Sequence, residues 1–223
     1  MANATPMTAD EYDAQIEKTL PYYSHFYEQT LSLIETFNLD RAKWLDTGCG
    51  TGALVKLASK KFDNFEFILC DPSEEMIGYA QKRLFGNSQV KDFRVYGSEQ
   101  INDKNEFDIV TAIQCHHYLH ESERVAAIQR CYEALKVNGV FISFENFASN
   151  SEEGKKIVLS RWGKFEIDNG KTQDEVSYHL SRYGRNYFPI TINEQFNVLK
   201  NCGFRTIELF WLSYMQMGIY GIK

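Results

Sequence analysis

Acids and glycines carry the first chemical signal in this chain. In Lys43-Trp44-Leu45-Asp46-Thr47-Gly48-Cys49-Gly50-Thr51-Gly52-Ala53-Leu54 an apolar strand ends in a carboxylate and runs into a glycine-rich turn before a helix. Glycines at 48, 50 and 52 permit positive φ and let a ligand approach backbone without meeting a Cβ. The first N–H groups of the following helix point to the same place, so the turn suits a nucleoside-bearing cofactor. Gly48, Gly50 and Ala53 also satisfy the loose G-x-G-x-x-G/A spacing of dinucleotide folds, which set a pyrophosphate over such a turn. Asp46 argues for a different ligand. A carboxylate at the strand's carboxyl end repels pyrophosphate and attracts the cationic amino group of a methionine moiety, so S-adenosylmethionine is the cofactor expected.

A second acid agrees. Phe65-Glu66-Phe67-Ile68-Leu69-Cys70-Asp71 reads as the next strand, and an acid at its tip can accept from both ribose hydroxyls at about 1.5 to 3 kcal/mol each. Pro72 and Ser73 then start a helix, with Ser73 as N-cap, and Met76 and Ile77 fall one turn in, where an adenine could lie against them. Taken singly, Asp71 could merely open a turn and Met76 could be core; their distance behind the glycine loop favours the ligand.

Gln114-Cys115-His116-His117-Tyr118-Leu119-His120 follows the fourth strand, at the edge where such a sheet meets its ligand. One of His116, His117 and His120 could act as a base near neutral pH, His116 and His117 foremost, although imidazoles at a strand-to-helix turn also pack or bond to backbone. A metal site is not expected, because adjacent histidines point apart on an extended segment and no acid or thiol completes a set. Further on, Arg161, Trp162, Arg182, Tyr183, Arg185 and Tyr187 interleave cations with aromatics. Arg161, Arg182 and Arg185 suit an anionic or aromatic small-molecule substrate, and suit a homodimer interface equally well.

These residues need a frame, and the chain can supply one. Its 223 residues, 43% hydrophobic and 14% aromatic, can bury the core of a single α/β domain. A net charge of −6 offers no footprint for nucleic acid, which needs clustered Lys and Arg. Five widely spaced cysteines without a C-x-x-C pair read as reduced thiols of a cytoplasmic protein. Neither a secretory leader nor a run of 18 apolar residues is expected, so no membrane partner is.

Helical spacing from about Ala9 to Phe37, broken at Pro21, predicts an N-terminal cap over 1–38. From 39 to 145 strands and helices alternate in a cofactor-binding core: strands ending at Asp46 and Asp71, a helix Ser73–Leu84, strands Val90–Val95 and Phe107–Ile113, a helix Ser122–Lys136 stopped by Asn138-Gly139, and a strand Val140–Glu145. Such alternation gives a doubly wound parallel sheet. Residues 146–190 are charge-rich, with helical pieces near 152–162 and 172–182, and read as a lid insertion. Over 191–223 a helix ended by Gly203 leads into two strands joined so tightly that they are antiparallel. The fold class is thus α/β, a Rossmann-like seven-stranded sheet with an antiparallel C-terminal hairpin and a helical cap and lid.

The chain resembles class I S-adenosylmethionine-dependent methyltransferases, and within them it is most similar to the carboxy-S-adenosylmethionine synthase group, which serves tRNA wobble uridine modification. Leu45-Asp46-Thr47-Gly48-Cys49 resembles that group's first motif and Cys70-Asp71-Pro72-Ser73-Glu74-Glu75-Met76-Ile77 its second. Glu121-Ser122-Glu123-Arg124, Phe144-Glu145-Asn146-Phe147, Asn169-Gly170 and Gly203-Phe204 match later elements in spacing. The resemblance implies Tyr23 as a cofactor contact from the cap, Pro72 beside the ribose acid, Ser98 and Glu99 at the adenine edge and Ile113 beside the methionine moiety. The chain departs from the group at Ser98, where Asp is common, at Ile113, where a polar amide stands, and at Leu180, where the arginine that holds the extra carboxylate falls. That last departure predicts ordinary S-adenosylmethionine as the preferred species.

Overall fold

The computed structural model describes residues 9–223. The first eight residues of the N-terminal cap lie outside the described residues. Two helices open the fold, α1 (Ala9–Thr19) and α2 (Tyr23–Glu35), separated at Pro21, where Tyr22 takes a left-handed φ of 58°. Proline cannot continue a helical hydrogen-bond ladder, so the break is local in origin.

A seven-stranded sheet follows in the order β3-β2-β1-β4-β5-β7-β6. Its strands are β1 (Ala42–Thr47), β2 (Phe65–Asp71), β3 (Val90–Val95), β4 (Phe107–Ile113), β5 (Leu135–Asn146), β6 (Thr206–Ser213) and β7 (Gln216–Ile222). β1 to β5 pair in parallel, while β7 runs antiparallel between β5 and β6. The central strands are apolar on both faces: Trp44 and Leu45, Phe67 and Ile68, Ile109 and Val110, and Phe141 and Ile142 are all buried. Such a strand needs helices on each side. α3 (Ala53–Lys61) and α4 (Glu74–Arg83) lie in the β1–β2 and β2–β3 crossovers, and α5 (Glu121–Ala134) joins β4 to β5. Strand order reverses between β1 and β4, and an open parallel sheet has its ligand crevice at the carboxyl ends of that switch point.

One expectation needs correction. Asn138-Gly139 does not stop a helix at Lys136: α5 ends at Ala134, and both residues sit inside β5. Asn138 has φ 68°, and a Cβ on Gly139 would stand 2.9 Å from the Lys136 carbonyl and 3.1 Å from that of Asp108. The turn chemistry is spent on an irregularity in the β4–β5 pairing, between Phe107 and Ile109.

The segment between β5 and β6 holds α6 (Glu152–Asp168), α7 (Gln173–Ser181) and α8 (Ile192–Cys202). Ser151, Thr172 and Thr191 cap their N-termini through side-chain oxygens, and Gly203 closes α8 at φ 107°. Trp162 of α6 is fully buried and its Nε1 donates to the Thr19 carbonyl at 2.6 Å, which ties this segment to α1. At its far end Phe188 N donates to the His117 carbonyl at 2.6 Å. The segment is thereby held at both ends over the carboxyl edge of the sheet.

Candidate active site

Three cavities line up along that edge. The largest, about 240 Å³, runs from the glycine turn past the ends of β2 and β4. Gly48, Gly50, Asp71, Pro72, Met76, Ser98, Glu99, Ile113 and His116 all line it, so residues from four separate stretches of chain converge. A small chamber of about 20 Å³ adjoins it under the cap and is lined by Tyr23, Asp46, Gly48, Gly50 and Ile113 together with Tyr12 and Tyr27. The third, of about 30 Å³, lies between cap and lid and shares Tyr12, Gln114 and Tyr118 with the first.

The glycines divide into two kinds. Gly50 has φ 52°, and a Cβ on it would meet nothing within 4 Å, which leaves backbone open to a ligand, whereas a Cβ on Gly48, at φ 62°, would collide with Cys115 Cβ. Gly52, expected at the cofactor, lines none of these cavities. At φ 75° it precedes α3 and lies against α4, where an added Cβ would stand 3.2 Å from Ala80 Cβ and 3.1 Å from Leu84. Its absent side chain serves helix packing.

Each acid is fixed by the strand that carries it. Asp71 Oδ2 accepts from Gly50 N at 3.0 Å and Oδ1 from Ser73 N at 2.9 Å, which joins the glycine turn to the start of α4. A carboxylate has about four acceptor sites, so each oxygen keeps capacity for a hydroxyl in the cavity. Burial raises this carboxyl against the lowering effect of those two bonds. Asp46 Oδ1 accepts from Thr111 Oγ1 at 2.7 Å, and that hydroxyl accepts from Trp44 Nε1 at 2.8 Å. Asp46 Oδ2 has no hydrogen-bond partner among the described residues. Burial pushes its carboxyl up to about 7, with Asp71 adding to the rise and the Thr111 bond opposing it. Only a cation restores the cost of ionising it there. The bare glycine turn, the cup around Asp46 and the spare acceptors of Asp71 fit the two ends of S-adenosylmethionine.

In the wall of the largest of these cavities Ser98 Oγ bonds Thr47 Oγ1 at 2.7 Å and His116 Nε2 at 2.9 Å. Burial lowers His116 to about 4, leaving a neutral ring. His117 lines none of the three cavities. Its Nδ1 meets Glu145 Oε2 at 2.5 Å and its Nε2 lies 3.3 Å from Asn146 Nδ2. Glu145 also accepts from the backbone N–H of His116 and of His117, each at 3.0 Å. Burial alone would raise this carboxyl, and the bond from His117 with the neighbouring imidazoles outweighs it, so it is lowered. The two histidines thus clamp the β4–α5 turn.

Of the three arginines, Arg182 alone lines one of these cavities. It is buried just beyond the end of α7 and bonds the Tyr118 hydroxyl, whose pKa burial raises to about 12. Arg185 is exposed, and Arg161 lies 3.8 Å over the Tyr214 ring, outside the cavities. Leu180 is absent from the cavity walls and approaches Gly163 of α6, its Cδ1 3.1 Å from where a Cβ would stand. The cation that position 180 lacks is therefore present two residues along.

Tyr12 and Tyr27 escape sequence reasoning, whereas Tyr23, Gln114 and Tyr187 in these walls lie in stretches that it singles out. Tyr12, Tyr23 and Tyr27 form a chain of hydroxyls under the cap, and Tyr12 borders all three cavities. Gln114 has φ 57°, a conformation rare for a side-chain-bearing residue, and its N donates to the Phe144 carbonyl at 2.6 Å. Tyr187 is buried against the third cavity with its hydroxyl unpartnered among the described residues. Helical spacing on α1 could have signalled Tyr12, and Tyr27 stands one turn beyond Tyr23 on α2. Among the described residues no group of three or more His, Cys, Asp and Glu could hold a metal, and no helix is long and apolar enough to cross a membrane.

Known proteins resemble the chain in sequence and in fold. Residues 45–141 match a family model described as a methyltransferase domain. The chain is 26% identical over 210 residues to the carboxy-S-adenosyl-L-methionine synthase of Nautilia profundicola, covering 90% of this chain and 86% of that one. It is 22% identical over 219 residues to the protein of the same name from Staphylococcus epidermidis, covering 97% and 94%. Human N-acetylserotonin methyltransferase in complex with SAM aligns with a TM-score of 0.60 and 16% identity, over 100% of this chain and 60% of that one. An O-methyltransferase family protein from Burkholderia thailandensis gives 0.65 and 13%, over 96% and 59%. The chain spans less than two thirds of each of those two structures, and the likeness to them is one of fold. Fold and site together define an enzyme of the S-adenosylmethionine-dependent methyltransferase class, with S-adenosylmethionine as cofactor. Residues 45–141 match that methyltransferase-domain model, and the chain is similar along most of its length to carboxy-S-adenosylmethionine synthases.

Proposed function

We propose that this enzyme transfers a methyl group to a small acidic molecule held between cap and lid, in the cytoplasm. The observation that carries the reading is Arg182, a buried guanidinium in a cavity that shares walls with the cofactor's own. A buried cation beside tyrosine hydroxyls and the amides of Gln114 and Asn146 suits a carboxylate, with charge-assisted bonds at about twice the strength of neutral ones. When bound, S-adenosylmethionine supplies an electrophilic methyl on a sulfonium. Asp46 holds the amino group, Asp71 the ribose, and the Met76 side the base. Tyr12 and Gln114 stand at the junction of the cavities and align acceptor with donor while the cap excludes water. Replacing Arg182 with Gln should raise the acceptor concentration needed for half-maximal S-adenosylhomocysteine formation at least tenfold and leave S-adenosylhomocysteine binding unchanged. An unaltered concentration dependence would refute the assignment.

A second reading draws on the same arginine. Arg182 could pair with a carboxylate on the cofactor itself, as in an enzyme forming carboxy-S-adenosylmethionine. Intact-mass analysis of ligand released from purified protein separates the two readings. The ordinary species supports methyl transfer, and a dominant carboxylated species supports the synthase.

A further inference from the structure

The lid contains a carboxylate–imidazole pair that the reading above does not use. Glu166 on α6 is fully buried, and its Oε1 meets Nδ1 of His179 on α7 at 2.5 Å. Its Oε2 has no hydrogen bond, and Lys171 Nζ stands 3.6 Å away. The imidazole is walled on two sides: Trp162 meets it edge-on at 4.7 Å and Tyr187 stacks on it at 6.2 Å. His179 lines the cavity that holds Arg182, and its Nε2 takes no hydrogen-bond partner among the described residues.

A buried carboxylate is costly, and one that accepts from Nδ1 fixes the tautomer in which Nε2 carries a lone pair. The two histidines of the β4–α5 turn do not offer this. His116 Nε2 is held by Ser98, and both ring nitrogens of His117 have neighbours. His179 is also close in sequence to the anion-binding group, since Arg182 N donates to the His179 carbonyl at 3.2 Å.

We propose that His179 is the general base of the methyl transfer and that Glu166 is its positioning residue. The proposal rests on the methyl-transfer reading and narrows the substrate class: the acceptor carries an anionic group for Arg182 and a nucleophile that arrives as O–H or N–H. His179 Nε2 takes that proton as the nucleophile's electron pair forms the bond to the methyl carbon. The methyl–sulfur bond breaks with its pair kept on sulfur, giving methylated acceptor and S-adenosylhomocysteine, and the imidazolium returns its proton to solvent. The charged and titratable groups around the ring are Glu166 and Lys171 from the lid, Arg182 after α7, Tyr187 beyond it, Tyr118 from the β4–α5 turn and Tyr12 from the cap.

The test uses the full chain, S-adenosylmethionine and the anion-exchange-retained small-molecule fraction of a cell extract as acceptor mixture. S-adenosylhomocysteine formation is followed against pH and against dilution of that fraction, for wild type, His179→Gln and Glu166→Gln. Thermal stabilisation by S-adenosylhomocysteine monitors folding and cofactor binding, and histidine-selective 15N NMR of the wild type reads which nitrogen of His179 bears the proton. General-base loss is on the order of 100-fold or more. We expect His179→Gln to lose that much of the saturating rate near neutral pH, to recover as rising pH ionises the acceptor, and to keep its stabilisation by S-adenosylhomocysteine. Glu166→Gln should lose less and displace the pH profile, and the NMR should show the proton on Nδ1 with Nε2 bare. A His179→Gln rate within threefold of wild type at every pH, or a proton resident on Nε2, overturns the proposal. If that variant does not fold, the wild-type NMR and Glu166→Gln decide. Wild type that forms no S-adenosylhomocysteine from this fraction sinks the methyl-transfer reading and the proposal with it; wild-type turnover with an undiminished variant sinks the proposal alone.

Discussion

Asp46 sets a conflict between stability and binding at a single carboxyl group. Its folded pKa of about 7 lies above the ordinary 3.8, so the folded chain keeps a proton that the unfolded chain releases across that window. This contribution therefore turns against the fold as pH rises from about 4 to 7. Asp46→Asn should melt above wild type at pH 8 without cofactor, with the gap closing towards pH 4, and should lose most of its affinity for S-adenosylhomocysteine. Calorimetric titration should also show wild-type affinity climbing to about pH 7 and levelling beyond it, because the ligand's amino group favours the ionised acid. A flat profile would remove Asp46 from the amino-group role. The glycines make a sharper contrast. Gly52→Ala should cost about 1 kcal/mol or more in urea unfolding, from a strained φ and contact with α4, whereas Gly50→Ala should mainly weaken cofactor binding. Asp46, Asp71 and the turn glycines were legible because strand tips and turn residues are local signals. The proton on Asp46 was not, since Thr111 and the surrounding burial come from other strands. Gly52 illustrates the same limit: its spacing fits a ligand loop, but α4 occupies the space.

At the level of elements, the β4–α5 turn and the lid decide what the site can hold. Glu145 binds the turn from β5 through His116 and His117, and its lowered pKa means that its contribution is present above the usual 4.5 and fades as pH falls through the folded value. Urea unfolding of Glu145→Gln should show a deficit of about 1 to 3 kcal/mol at pH 7 that narrows below pH 4.5. An equal deficit at both pH values would contradict an ionic role. Trp162→Phe removes the bond to the Thr19 carbonyl and should lower the melting temperature and speed S-adenosylhomocysteine release, because α1 carries Tyr12 over the cavities. The alternation of strands and helices was readable from periodicity, as was the final hairpin from its short connection. Asn138-Gly139 misled because a turn signal does not say whether it ends a helix or bends a strand. The approach of α7 to the site was also hidden: Leu180 faces Gly163 of α6, and Arg182, still in the helical conformation and about 200° further around, is the residue that faces the cavity.

For the whole molecule, a net charge of −6 limits which partners it can take. Bulk tRNA in filter binding should show weak affinity and little salt dependence; submicromolar affinity with a steep salt slope would contradict the small-molecule reading. S-adenosylhomocysteine should raise the melting temperature and NAD should not, because Asp46 faces the place a pyrophosphate would take. The overall charge was visible in composition, whereas the cavity beside Arg182 was not, since it arises from side chains of the cap, the β4–α5 turn and the lid meeting over the sheet. The most direct measurement supplies S-adenosylmethionine with an isotopically labelled methyl group, together with the anion-exchange-retained metabolite fraction, and follows products by mass spectrometry. The account predicts label in one small anionic product, with an equal amount of S-adenosylhomocysteine. Label that never leaves the cofactor, or that leaves it only when tRNA is added, would contradict it.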